Sequence, residues 1–185
     1  MMKQLSLPRC RKGGFTLVEI LVVVSIIGLL AGLSIPAVGG AMHTARKAKV
    51  TAMAHQIRTA LTQFNTEYGY FPTNGMNQGM GTTAQTLALI LIGSSSSTND
   101  NPRQISFLEV PIDFTFSGNI SNRGIVTPRG FYANNTQSNL SVSVDHDYNG
   151  EVRVTNGTAV TNIRATTAVW YVDPKDRTKT IGTWK

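Results

Sequence analysis

The sequence predicts an α+β fold: a long N-terminal membrane-spanning α-helix whose C-terminal half packs on a small antiparallel β-sheet, closing into a roll. Three observations predict it. Ile20 to Val38 is a run of 19 residues without a formal charge, about 28 Å of helix and close to the hydrocarbon thickness of a bilayer. Val50, Met53, Ile57, Leu61, Phe64 and Tyr68 then recur at the three- and four-residue spacing of one helix face. Further on, Leu140–Val144, Val152–Thr155 and Ala168–Val172 have strand composition, the first two alternating apolar and polar residues.

The elements follow in order. Residues 1–14 form a basic leader with Lys3, Arg9, Arg11 and Lys12 and no acid. These four cations are more than half of the formal net charge of +7. A nucleic-acid partner inferred from charge therefore loses its support if the leader is removed. The single cysteine, Cys10, also lies in the leader, so the rest of the chain can form no disulfide. A secretory signal is cut after its apolar core, whereas a cut at the end of this leader would leave the core in place as an anchor.

The long helix runs from about Phe15 to about Glu67, with residues 15–38 in the membrane and 39–68 amphipathic. Glu19 stands at the front of the apolar run, where a carboxylate facing lipid costs several kcal/mol unless it has a partner. Pro36 and the Gly39-Gly40 pair are expected to kink or loosen the helix. Arg46, Lys49, Gln56, Arg58 and Gln63 lie largely off the apolar stripe, which is expected to pack on the globular region, residues 69–185.

In that region Gly69 and Pro72 end the helix, and Thr83–Ile92 reads as a short helix followed by a Ser- and Asn-rich loop. Phe107-Leu108-Glu109 is expected to begin another short element. The first two strands are expected to form a hairpin around Asn149-Gly150. The chain closes on Ile181-Gly182-Thr183-Trp184-Lys185. There is one globular domain and no internal repeat.

Residues able to carry out chemistry are sparse. Asp145, Asp147 and Asn149 alternate before Gly150, like the first half of a calcium loop, but no glutamate follows at the distance such a loop requires. The plain reading is a polar hairpin whose acids face solvent, and no metal is assigned. The three histidines do not assemble, and with Cys10 in the leader zinc has no ligand set. The serines have no identifiable base and acid partners, and no Gly-rich phosphate loop is present. The sequence therefore predicts no enzyme, no catalytic residue and no cofactor.

Gly14-Phe15-Thr16-Leu17-Val18-Glu19 resembles the processing site of type IV prepilins and type II secretion pseudopilins. The resemblance spans roughly residues 12–38. It implies that a prepilin peptidase cleaves between Gly14 and Phe15 and methylates Phe15. Glu19 becomes the fifth residue of the processed chain, and its carboxylate is paired by the positive terminus of a neighbouring subunit, which sets assembly and register. It also implies the pilin-like form of the α+β roll and a bacterial inner-membrane location with one pass, the globular part periplasmic or extracytoplasmic, and a filament after assembly. Partners implied are like subunits and minor pseudopilins, a platform protein, an assembly ATPase and membrane lipid.

Glu67-Tyr68-Gly69-Tyr70-Phe71-Pro72-Thr73 is similar to the helix end of major pseudopilins. Residues from Trp170 to the final Trp184-Lys185 resemble their C-terminal tail, in which such proteins can bind calcium. Lys179-Thr180 departs from that acidic tail, so no calcium site is carried over. The expected function is a structural subunit of a type II secretion-like pseudopilus. The alternative is a type IV pilus major or minor subunit serving motility, adhesion or DNA uptake. A separate reading is a binding module, a DNA-uptake or adhesive minor pilin whose Arg123, Arg129, Arg153 and Arg164 meet a polyanion. An unprocessed membrane anchor is a further reading.

Overall fold

A computed structural model describes residues 14–73, 80–82, 85–94, 100–156 and 159–184, with the side chains of 35–38, 80–82 and 122 outside the description. Two compact units divide the chain, one ending at Met42 and one comprising His43–Lys185. Helix α1 is Leu17–Tyr68. Its backbone is helical through Pro36.

In the first unit the described α1 side chains, residues 17–34 and 39–42, are exposed, among them Val22, Leu29 and Leu33. The helix is long and apolar enough to cross a membrane. Its two hydroxyls are satisfied internally. Ser25 Oγ donates to Leu21 O and Ser34 Oγ to Leu30 O, both at 2.7 Å. Neither hydroxyl then needs water, as a lipid-exposed helix requires.

In the second unit the remainder of α1 buries the expected stripe. Val50, Met53, Ile57, Leu61 and Phe64 are buried, joined by Ala54 and Ala60. The helix ends at Gly69, whose φ of +77° is the left-handed conformation that glycine tolerates. Gly69 N donates to Asn65 O at 2.8 Å, closing the last turn. Strand β1 is Met80–Thr82 and helix α2 is Gln85–Leu91. A short helix α3, Ile120–Arg123, lies between two 3-10 turns, Ile112–Phe114 and Ala133–Asn135.

Strands β2 (Ser141–Val144), β3 (Glu151–Asn156), β4 (Ala159–Arg164), β5 (Thr167–Val172) and β6 (Thr180–Gly182) complete the fold. One antiparallel sheet has the order β1-β2-β5-β6, and β3 pairs only with β4 in a separate ribbon. The registers include Val142 opposite Val169, Tyr171 opposite Ile181 and Val152 opposite Ile163.

Successive side chains of a strand face opposite ways, and β5 uses both faces. Val169 and Tyr171 join Val142, Val144 and the α1 stripe in the main core. Ala168 and Trp170 join Val152 and Val154 of the ribbon in a second cluster. Trp170 Nε1 donates to Thr155 O at 2.9 Å, and its ring meets Trp184 edge-on at 6.2 Å between centroids. A sheet covered by helix on one face and ribbon on the other explains why β5 reads as a nearly continuous apolar run.

Several expectations are corrected. The hairpin around Asn149-Gly150 does not pair Leu140–Val144 with Val152–Thr155. Strand β2 pairs with β1 and β5, and β3 turns instead onto β4. The reason is burial: β2 has to place Val142 and Val144 over α1, while β3 caps the opposite face of the sheet. Phe107-Leu108-Glu109 begins no regular element; the Phe107 and Leu108 amides both donate to Leu91 O at the end of α2. The expected short helix at Thr83–Ile92 is present as α2.

Candidate functional site

The candidate site is the start of α1, where Thr16 and Glu19 form a reciprocal cap. Thr16 N and Thr16 Oγ1 donate to Glu19 Oε2 at 2.8 and 2.9 Å, and Glu19 N donates to Thr16 Oγ1 at 3.3 Å. A helix leaves its first amides without intrahelical partners, and threonine with glutamate three residues on satisfies two of them. The carboxylate also lies in the first turn, where the helix dipole favours negative charge. Gly14 and Phe15 precede this cap in non-helical backbone, and the Phe15 side chain is exposed.

Gly14, Phe15 and Glu19 stand out in the sequence as site residues, whereas Thr16 is added by the structure. The signal was present, since Thr16-Leu17-Val18-Glu19 has the spacing of a capping box. The structure gives that acid two partners within its own chain. Pro36, where a kink is expected, lies among the residues whose side chains are outside the description.

Four basic residues beyond the apolar run act on the globular unit. Arg46 Nη1 donates to Gly130 O at 2.8 Å, Lys47 Nζ to Asp173 Oδ2 at 3.0 Å and Arg58 Nη1 to Thr183 O at 3.0 Å. Lys49 pairs with Asp113. Residues that the periodicity set off the apolar stripe thus tie α1 to the loops beside it.

Neither calcium-like segment presents a free set of ligand oxygens. Asp145 is buried at 3 % exposure, correcting the reading that it faces solvent. Its carboxylate accepts from Asn149 N at 3.1 Å and Gly150 N at 2.7 Å, and Asp147 Oδ2 accepts from Asn149 Nδ2 at 2.7 Å. In the C-terminal loop Asp173 binds Lys47 through one oxygen and accepts from Lys175 N at 2.9 Å through the other. An internal ammonium already supplies a positive charge there. Burial pushes the Asp173 carboxyl up, but the Lys175 amide and Lys47 outweigh it and hold the group below its ordinary value.

Among the described residues no group of three or more His, Cys, Asp or Glu side chains could hold a metal. The four arginines considered for a polyanion are split between regions. Arg123 sits over the Phe116 ring at 4.6 Å, and Arg129 lies in the loop before Gly130. Arg153 and Arg164 belong to the β3–β4 ribbon, where Arg164 faces Glu151 in register.

Comparison with known proteins places these features in context. Residues 9–35 match the family model of the prokaryotic N-terminal methylation motif. Over 70 residues the chain is 37 % identical to type II secretion system core protein G of Escherichia coli K12, covering 38 % of this chain and 47 % of that protein. It is 29 % identical over 72 residues to a fimbrial protein of Neisseria meningitidis serogroup B, covering 39 % and 42 %. A type IV major pilin protein, PilE1 of Neisseria gonorrhoeae, is 30 % identical, covering 36 % and 41 %.

The chain spans less than half the length of these relatives. No solved structure matches. Fold and motif together define an α+β protein with an apolar N-terminal helix and a prepilin-type methylation motif. Its relatives are type IV pilins and the pseudopilin-type core protein of type II secretion.

Proposed function

We propose that this chain is a structural subunit of a type II secretion-like pseudopilus, without catalytic activity. The observation that carries the proposal is the first unit: an apolar helix with exposed side chains behind a capped acid and a methylation motif. Such a surface needs a cover. Bilayer lipid supplies it before assembly, and the helices of like subunits supply it in a filament.

Cleavage falls between Gly14 and Phe15, and Phe15 carries the methylated amine. Glu19 sets register by exchanging its local cap for the amine of a neighbour, and Pro36 loosens the helix to fit the filament. The segments are a leader to residue 14, a membrane and filament-core helix at 15–38, its amphipathic continuation at 39–68 and a globular region at 69–185. The partners are prepilin peptidase, minor pseudopilins, an inner-membrane platform protein and an assembly ATPase. The globular region faces the periplasm from a single inner-membrane pass.

Identity to core protein G favours secretion. The fimbrial and PilE1 similarities support the second reading, a type IV pilus subunit. The test is the intact mass and N-terminal peptide of the native membrane protein. The expected species begins at N-methylated Phe15; retention of residues 1–14 in cells with active prepilin peptidase would overturn the proposal. Filament yield then reads the role of the acid, and Glu19→Ala is expected to abolish assembly while leaving cleavage intact.

A further inference from the structure

A second site lies in a groove of about 500 Å³ lined by Arg46, Lys49, Asp113, Arg129 and Gln137, with Ile112 beside them. Three cations face one carboxylate. Lys49 pairs with Asp113, while Arg46 and Arg129 have no ion pair among the described residues. Arg46 is half-buried, and its one described bond is to the neutral carbonyl of Gly130 at 2.8 Å. The backbone is shaped to seat this guanidinium. Gly130 has φ +73°, and a Cβ there would stand 3.2 Å from Arg46 Nη1.

That bond orients the planar fork and leaves its other N–H groups to a ligand. A partly desolvated guanidinium without a counterion gains most from an anion, and its geometry matches the oxygens of phosphate. We propose that this groove binds a phosphate group, with Arg46 and Arg129 donating hydrogen bonds and Lys49 adding positive charge.

Two sources share this chemistry, an anionic phospholipid headgroup and free phosphate. Arg46 is the first formally charged residue after Glu19, and Lys49 follows it by three positions. Connectivity therefore favours the lipid. That source rests on the membrane anchoring proposed above; the phosphate chemistry does not.

The test uses the full chain in nanodiscs of phosphatidylcholine, alone or with added phosphatidylglycerol, followed by hydrogen exchange of residues 112–118 and 128–131. Slower exchange with phosphatidylglycerol supports a lipid phosphate. Slower exchange on adding inorganic phosphate to phosphatidylcholine discs, against chloride at equal ionic strength, supports a free anion. In either arm Arg129→Gln is expected to weaken the apparent affinity by about tenfold, the scale of one hydrogen bond to a charged group. Arg46→Lys, which keeps the charge but loses the fork, is expected to weaken it as well.

Exchange that neither anion changes, or protection that survives Arg129→Gln undiminished, overturns the proposal. Exchange in the β2–β5 ladder reports that each variant is folded. Protection of the α1 amides at 17–33 reports anchoring separately, so loss of the anchor and loss of the groove are distinguishable.

Discussion

The two halves of α1 are both rich in apolar side chains, yet they meet opposite fates. From Leu17 to Leu33 these side chains are exposed, whereas Val50 to Phe64 presents a stripe that is buried. Beyond the capped Glu19 the first stretch is apolar all round, and Ser25 within it, like Ser34 just after it, bonds internally. The second confines its apolar residues to one face and uses Arg46, Lys47, Lys49 and Arg58 to reach the loops. Apolarity alone did not decide burial; its distribution around the helix did.

Breaking the buried half gives the largest effect. Phe64→Ala removes a fully buried ring that meets Tyr68 and Phe107 at centroid distances of 4.7 and 5.4 Å. It should cost about 3–5 kcal/mol, read as a lowered denaturation midpoint of the full chain in detergent. By contrast, Val24→Ala should shift that midpoint by less than about 0.5 kcal/mol while reducing the yield of the proposed filament. An equal loss of stability at both sites would erase the distinction.

The cationic ties come next. Lys47→Met leaves Asp173, 6 % exposed, without its ammonium. Because Lys47 itself is partly exposed, the expected loss is about 1–2 kcal/mol. The pH dependence has a definite sign. The Asp173 carboxyl is held below its ordinary value of 3.8, so its contribution is present above the unfolded value and lost as pH falls through the lowered folded one. Asp173→Asn should therefore flatten the acid limb of a melting-temperature profile below about pH 4. An unchanged acid limb would show that the carboxylate has no such role.

The smallest effect belongs to the start of the exposed half. Thr16→Val removes the hydroxyl of the cap and should cost about 1 kcal/mol locally. Faster hydrogen exchange of the first α1 amides, with Thr16→Ser restoring protection, is the expected outcome. Unchanged exchange in Thr16→Val would mean that the cap does not hold the helix start.

Legibility followed the range of the interactions. The apolar run, the buried stripe, α2 and the strand character of β5 were all readable because each rests on local periodicity or composition. Strand β4 was not. Ala159-Val160-Thr161-Asn162-Ile163-Arg164 is mostly exposed and has no regular alternation, so only pairing with β3 reveals it. β1 has three residues, too few to carry a period. The candidate site was legible at Gly14, Phe15 and Glu19, and Thr16 could have been added from its spacing to Glu19.

The sequence by itself determined the α+β class, the anchor-like helix and the motif at its start, because charge, apolarity and capping chemistry act within a few residues. Tertiary structure decided which strands pair and where the loop acids point. It also decided that Lys47 meets Asp173, and that Arg46 seats on Gly130. Those outcomes depend on groups 126 and 84 residues apart, and no local pattern specifies such a meeting until the shared core brings them together.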